Sequence, residues 1–224
     1  MALPVSNSDT AGENAYRRIR HDIIFGRLAP GSRLRLERLK EPYLASVSTL
    51  REILFRLSSE GLVVAEGQRG FEVAPVSQQN FREVAAMRDL LEGHALRESF
   101  RRGDVDWEGE VVAAHHKLAR MERLMLAGER EDPAIWKRYD WEFHHALISA
   151  CGSAALLAAH AQIFDRYLRY QIIAVIFRGE SAMEEHRQLR QHALDRDADS
   201  AVNVLKSHIG ACVAHTLEHG LLDA

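Results

Sequence analysis

From about residue 80 onward, apolar residues recur every three or four positions and never alternate for the length of a strand. A segment with that period buries its apolar stripe against other helices, so the larger part of the chain must be an all-helical assembly. The spacing predicts six helices, near 80–102, 107–128, 133–151, 153–178, 181–195 and 198–220. Asp132 and Pro133 supply a cap and a first-turn proline, and Ser181 with Glu184 has the spacing of a capping box. There are no repeats and no low-complexity tracts.

The first 76 residues follow a different pattern. Tyr16, Ile19, Ile23 and Ile24 mark one face of a helix over 13–25, Gly26 is its stop, and "APG" at 29–31 is turn chemistry. A short helix over 36–44 precedes a third over 47–60, with Leu50, Ile53, Leu54 and Leu57 inward and Gly61 as its end. Either Ser46 or Thr49 could cap it. "LVVAE" and "GFEVAPV" then read as two strands of a hairpin around "GQRG". "PVSQQN", 75–80, reads as the linker. The third helix turns Ser48, Thr49, Arg51 and Arg56 outward. A helix fits the DNA major groove, and its N-terminus favours phosphate oxygens. The competing reading is an ordinary amphipathic helix with a hydroxyl cap.

Charge divides the chain in the same place. Residues 1–76 carry 11 Lys and Arg against 9 Asp and Glu, and residues 77–224 carry 18 against 23. Of 12 histidines, only His21 lies in the first part. The basic excess is too small to establish nucleic-acid binding unaided. No apolar run reaches the roughly 18 residues of a membrane span. The N-terminus lacks the pattern of a signal peptide. Cys151 and Cys212, in apolar helical runs, read as reduced thiols, so a cytoplasmic location without membrane association is expected.

Several rear helices carry ionisable groups where apolar ones belong. Asp140 falls within the stripe of Trp136, Tyr139, Phe143 and Leu147, and His144 follows one turn later. His186 shares a face with Leu189 and Ala193, and His208 with Leu205 and Cys212. Four such groups on three helices could meet inside a bundle and hold a cation. The stripe His208, Cys212, His215 and His219 is a rival set, and any single core histidine can simply satisfy a nearby acceptor. Arg88, in line with Phe81, Val84, Leu91 and Ala95, needs a partner if buried. Glu92 could be a structural one, or the guanidinium could grip a carboxylate ligand.

Taken together, "GRLAPGSRL", "TLREILFRLSSEGLV" and "RGFEV" resemble the N-terminal winged helix-turn-helix of GntR-family transcriptional regulators. The step from Arg88 to Glu92, "DWEFH", the "EH" at 185–186 and His208 resemble the FadR-type ligand-binding domain called FCD. "LKEPY", "VSTLRE" and "ACGS" are similar to the subgroup that holds the glutarate-responsive carbon-starvation regulator. The resemblance implies a mainly α protein: a winged helix-turn-helix with a small β-hairpin over 1–76, then an all-α effector-binding and dimerisation domain over 77–224. It implies a homodimer on a double-stranded DNA operator, and a metabolite-responsive regulator, foremost a repressor, rather than an enzyme. DNA contacts would come from Arg33, Arg35, Ser46, Ser48, Thr49, Arg51, Arg69 and Gly70. Many relatives carry arginine where this chain has Val47, which shifts base readout onto Arg51, Ser48 and Thr49. Asp140, His144, His186 and His208 would hold a divalent metal, zinc first and nickel or manganese as alternatives. Arg88 would bind a small carboxylate metabolite beside it. A metal-sensing regulator is the main rival reading. A metal-dependent hydrolase is a weaker one, because no glutamate stands as general base in an H-E-x-x-H helix.

Overall fold

The computed structural model describes residues 10–67, 70–129, 133–174, 177–218 and 222. Helix α1, Ala11–Ile24, starts at Thr10, whose hydroxyl accepts from the Glu13 amide, and buries Ala15, Tyr16, Ile19, Ile23 and Ile24. Helix α2, Leu36–Tyr43, ends at Leu44, which takes the left-handed conformation that glycine usually fills (φ 53°). Helix α3, Val47–Ser59, has Ser46 as its N-cap. The serine hydroxyl accepts from the Thr49 amide at 3.2 Å, so Thr49 is inside the helix rather than at its start.

Strands β2, Val63–Ala65, and β3, Phe71–Val73, form the expected hairpin. A third strand was not expected. β1, Arg33–Leu34, pairs antiparallel with β3, giving the order β1-β3-β2. Two residues are too few to show alternation, and β1 exists because the edge of β3 is there to pair with it.

Helix α4, Gln78–Arg102, begins inside the stretch taken for a linker. The Ser77 hydroxyl caps it by accepting from the Asn80 amide, so "PVSQQN" is half cap and first turn. The remaining helices are α5, Val105–Leu126; α6, Pro133–Ile148, followed by a 3-10 turn over Ser149–Cys151; α7, Ala154–Ala174; α8, Glu180–Leu194; and α9, Ala198–Glu218. Asp104 caps α5 through the Trp107 amide. The capping box at Ser181 and Glu184 does not form. Gly179, at φ 64°, holds the cap position of α8, while the Ser181 hydroxyl donates to the Arg178 carbonyl and Glu184 pairs with Arg187. Asp132, the cap expected before Pro133, lies outside the described residues.

Two apolar cores result. The rear core is built from α4, α5, α6, α7, α8 and α9. The front core joins α1, α2, α3 and the sheet, and takes Phe164 and Leu168 from α7. Polar ties reinforce that joint. Asp165 pairs with Arg20, and Arg169 donates to the Ala74 carbonyl at 2.6 Å. Arg166 packs on Gly61, where an added Cβ would meet it at 3.4 Å and φ is +73°. Helix α7 thus belongs to both halves, and Phe164 and Leu168 carry the front core up to the rear bundle.

Candidate DNA-reading surface and metal centre

The front face is built around the start of α3. Ser46 and Thr49 hydroxyls lie 2.9 Å apart and Ser46 and Ser48 2.8 Å apart, so the cap is a small hydroxyl cluster at the helix N-terminus. Ser46, Ser48 and Arg51 are exposed, and Thr49 is half-buried. Arg33 on β1 and Arg35 at the start of α2 are exposed as well. Among the described residues neither these two arginines nor Arg51 has an ion-pair partner, so all three guanidiniums remain available to phosphate or base edges. Arg56 is not available in that way. It pairs with Glu13 at 3.0 Å and lies over the Tyr16 ring, 3.6 Å from its centroid. Gly70 stands at the hairpin turn with φ 97°, its carbonyl accepting from the Glu66 amide. Arg69 lies outside the described residues.

The rear bundle brings together buried side chains that are far apart in sequence. His144 on α6, His186 on α8 and His208 on α9 are all buried, and each offers a ring nitrogen such that the three atoms lie within 4.8 Å of one another. Asp140, one turn before His144, aims Oδ1 at two of them, 3.6 Å from His186 Nε2 and 3.9 Å from His144 Nε2. Its Oδ2 faces Lys137 Nζ at 3.6 Å. In the rival set, Cys212 accepts from Gln171 Nε2 through its sulfur, and His219 lies outside the described residues.

Each of the three imidazoles is oriented from behind by a glutamate. His144 Nδ1 meets Glu92 at 2.5 Å, His186 Nδ1 meets Glu122 at 2.8 Å, and His208 Nδ1 meets Glu185 at 2.7 Å. A carboxylate only accepts, so Nδ1 of His144 and of His186 must carry the proton and each neutral ring keeps its Nε2 lone pair, whereas Nδ1 of His208 lies between the Glu185 carboxylate and the donor Nη2 of Arg178 at 3.1 Å. Nε2 of His144 and of His186 is buried without a hydrogen-bond partner. Unpaired buried lone pairs are costly, and these two, beside the Asp140 carboxylate and with a ring nitrogen of His208 within 4.8 Å, form a donor set that suits a divalent cation. The residues therefore fit a metal of the expected kind.

The electrostatics favour the same state. Burial pushes the His208 imidazole down to about 3 against the opposing pull of Glu185, so it is neutral near pH 7. Burial also lowers His144, with Glu92 opposing. For Asp140, burial alone would raise the carboxyl, but Lys137 and then His144 and His186 outweigh it and hold it well below the usual range.

Arg88 is completely buried. Its Nε donates to Glu92 Oε2 at 2.8 Å, and its guanidinium lies between the Phe164 and Tyr167 rings, 4.5 and 4.6 Å from their centroids. Both terminal nitrogens, Nη1 and Nη2, lack a partner. Glu92 is thus a structural partner of Arg88, yet it occupies only one of the three donor nitrogens. The same carboxylate reaches His144 and, through Oε2, His160 Nε2 at 3.0 Å. Burial would raise Glu92, but Arg88 and then His144 hold it well below its ordinary value. Nothing in the sequence marks His160 as a partner of Glu92, or Glu122 and Glu185 as orienting residues. Glu92 was visible only as the i+4 neighbour of Arg88.

Comparison with known proteins bears on both halves. Residues 11–73 match the family model described as bacterial regulatory proteins, gntR family, and residues 83–211 match that of the FCD domain. The chain is 36% identical over 222 residues to the uncharacterized HTH-type transcriptional regulator BphR of Paraburkholderia xenovorans, covering 98% of this chain and 91% of that protein. It is 30% identical over 202 residues to the HTH-type transcriptional repressor GlaR of Escherichia coli, covering 88% and 91%. Among solved structures, E. coli McbR/YncC superposes with a TM-score of 0.79 at 19% identity, over 94% of this chain and 99% of that one.

Proposed function

The chain belongs to the GntR family of bacterial regulatory proteins, with an FCD domain behind its DNA-binding module, and on that premise we propose that it is a metal-loaded, metabolite-responsive repressor. In this reading residues 1–76 are the DNA reader and residues 77–224 the sensor and dimerisation unit. Asp140, His144, His186 and His208 hold a divalent ion, which supplies positive charge and open positions for an oxygen ligand. The observation that carries the proposal is the pairing of converging, glutamate-oriented imidazoles with Arg88, whose two unpartnered terminal NH2 groups stand ready for a carboxylate.

The chain's own residues supply a route from the Arg88 cluster to the DNA-reading module. Phe164 packs on the Arg88 guanidinium and is also part of the front core. A carboxylate drawn to Arg88 would bias where Phe164 and α7 sit, and through the Arg20–Asp165 and Arg169–Ala74 ties it would bias the front module. In a two-fold dimer that changes the separation of two α3 helices, which must match the half-site spacing of the operator. A ligand achieves this only by binding one arrangement more tightly than the other.

Metal analysis of the purified protein, followed by operator binding with a panel of small mono- and dicarboxylates, tests the reading. His186→Ala is expected to lose most of the bound metal and blunt the carboxylate response while keeping wild-type circular dichroism. Full metal occupancy in that variant would overturn the ligand assignment. Bound metal that exchanges freely, and itself switches operator affinity without any carboxylate, would favour metal sensing.

A further inference from the structure

The three glutamates behind the imidazoles are not equivalent. Glu92 also meets Arg88 and His160, and Glu185 also meets Arg178. Glu122, on α5, is buried and has one polar partner among the described residues, Nδ1 of His186 on α8. Its second oxygen, Oε2, is buried and unpartnered, and no lysine or arginine of the described residues lies within ion-pairing distance. A carboxylate in that position is costly unless positive charge reaches it. The available path is through the imidazole: a cation at Nε2 makes the Nδ1–H a stronger donor and places positive charge on the far side of the ring.

We propose that Glu122 is a positioning residue of the metal centre. It fixes His186 with Nδ1–H outward and Nε2 inward, and its own buried charge is balanced only when a cation fills the centre. Metal loading therefore tightens the contact between α5 and α8. This rests on the metal reading above. It adds that Glu122 burdens the metal-free protein and supports the loaded one. A glutamate present merely as an acceptor for a core histidine would support both forms.

The opposite signs make the test. Glu122→Gln keeps an acceptor oxygen and removes the charge, and Glu122→Leu removes both at similar volume. Wild type and both variants are stripped with chelator and titrated with zinc and with cobalt. Cobalt absorption reports the ligand field, and thermal midpoints are taken with and without metal. Affinity is expected to fall roughly 10-fold in Glu122→Gln and up to about 100-fold in Glu122→Leu, the range found when such outer partners are removed. The metal-free midpoint is expected to stay level or rise in Glu122→Gln, which keeps an acceptor for His186 Nδ1–H, and the cobalt spectrum of Glu122→Leu to depart from wild type. Unchanged affinity in both variants overturns the proposal. So does a fall in the metal-free midpoint of Glu122→Gln alongside weakened binding, which assigns the Glu122 charge to the metal-free fold rather than to the loaded centre. A wild type that binds neither ion overturns the metal reading itself, a result distinct from variants that bind as well as wild type.

Discussion

The front and rear of this molecule handle charge in opposite ways. In the front module the core is Ala, Ile, Leu, Val, Tyr and Phe, and Arg33, Arg35 and Arg51, without an ion-pair partner among the described residues, face solvent. Every buried polar side chain among the described residues lies at Arg88 or beyond, including Glu92, Glu122, Lys137, Asp140, His144, His186 and His208. Apolar cores are the low-cost solution, and charged groups are almost never fully buried unless paired. The front therefore puts its chemistry outside, where a polyanion can reach it. The rear encloses its chemistry, where a small ligand meets fields that water does not screen. The difference separates an outward-facing charged surface from an enclosed charged cluster without reference to any ligand.

The largest expected effect tests that contrast with two ion pairs of similar length. Glu92→Ala leaves Arg88 buried without its carboxylate, and breaking such a pair costs about 3–5 kcal/mol. Glu13→Ala removes the 3.0 Å partner of the half-exposed Arg56 and should cost under about 1 kcal/mol. Urea denaturation of both variants, followed by fluorescence and circular dichroism, measures the difference. Equal losses would erase the distinction between the two regions.

A change in the reader should do the reverse, altering recognition without touching stability. Arg51 is exposed on α3 and has no ion pair among the described residues, so Arg51→Ala should leave the thermal midpoint within experimental scatter. Its operator affinity should fall by about 1–3 kcal/mol, the range for a guanidinium on a base edge, with little change on unrelated duplexes. Arg33→Ala, offered as a phosphate contact, should instead weaken both duplexes alike and reduce the salt slope by about one. A uniform loss in Arg51→Ala would reassign it to the backbone.

The contrast also sets what was legible in the sequence. Helical period located the rear helices to within a few residues, because each buries one stripe against its neighbours. Arg88, Asp140, His144, His186 and His208 stood out as polar residues inside those stripes, a local signal. Their partners gave no such signal. Glu92 meets His160 across 68 positions, and Glu122 meets His186 across 64. Such pairs exist only once the bundle closes. Glu185 was hidden for another reason: it is half-buried and looks like any helix-surface acid until Arg178 and His208 converge on it. Strand β1 escaped because two residues carry no period, and the Ser181 box failed because Gly179, at a positive φ, takes the cap position before Ser181 is reached.

The smallest expected effect sharpens the comparison at a residue that belongs to both structure and surface. Ser46 caps α3 through the Thr49 amide, and its hydroxyl also touches those of Ser48 and Thr49. Removing an N-cap oxygen costs about 1 kcal/mol of stability. At this position it also removes an acceptor that orients two hydroxyls at a helix N-terminus facing solvent. Ser46→Ala should therefore lower both stability and operator affinity. Ser46→Asp should keep the cap and the stability while placing a negative charge where phosphate would lie, so its operator affinity should drop below that of Ser46→Ala. If Ser46→Asp binds the operator as well as wild type, the start of α3 is not near the DNA backbone, and the front face must be turned some other way.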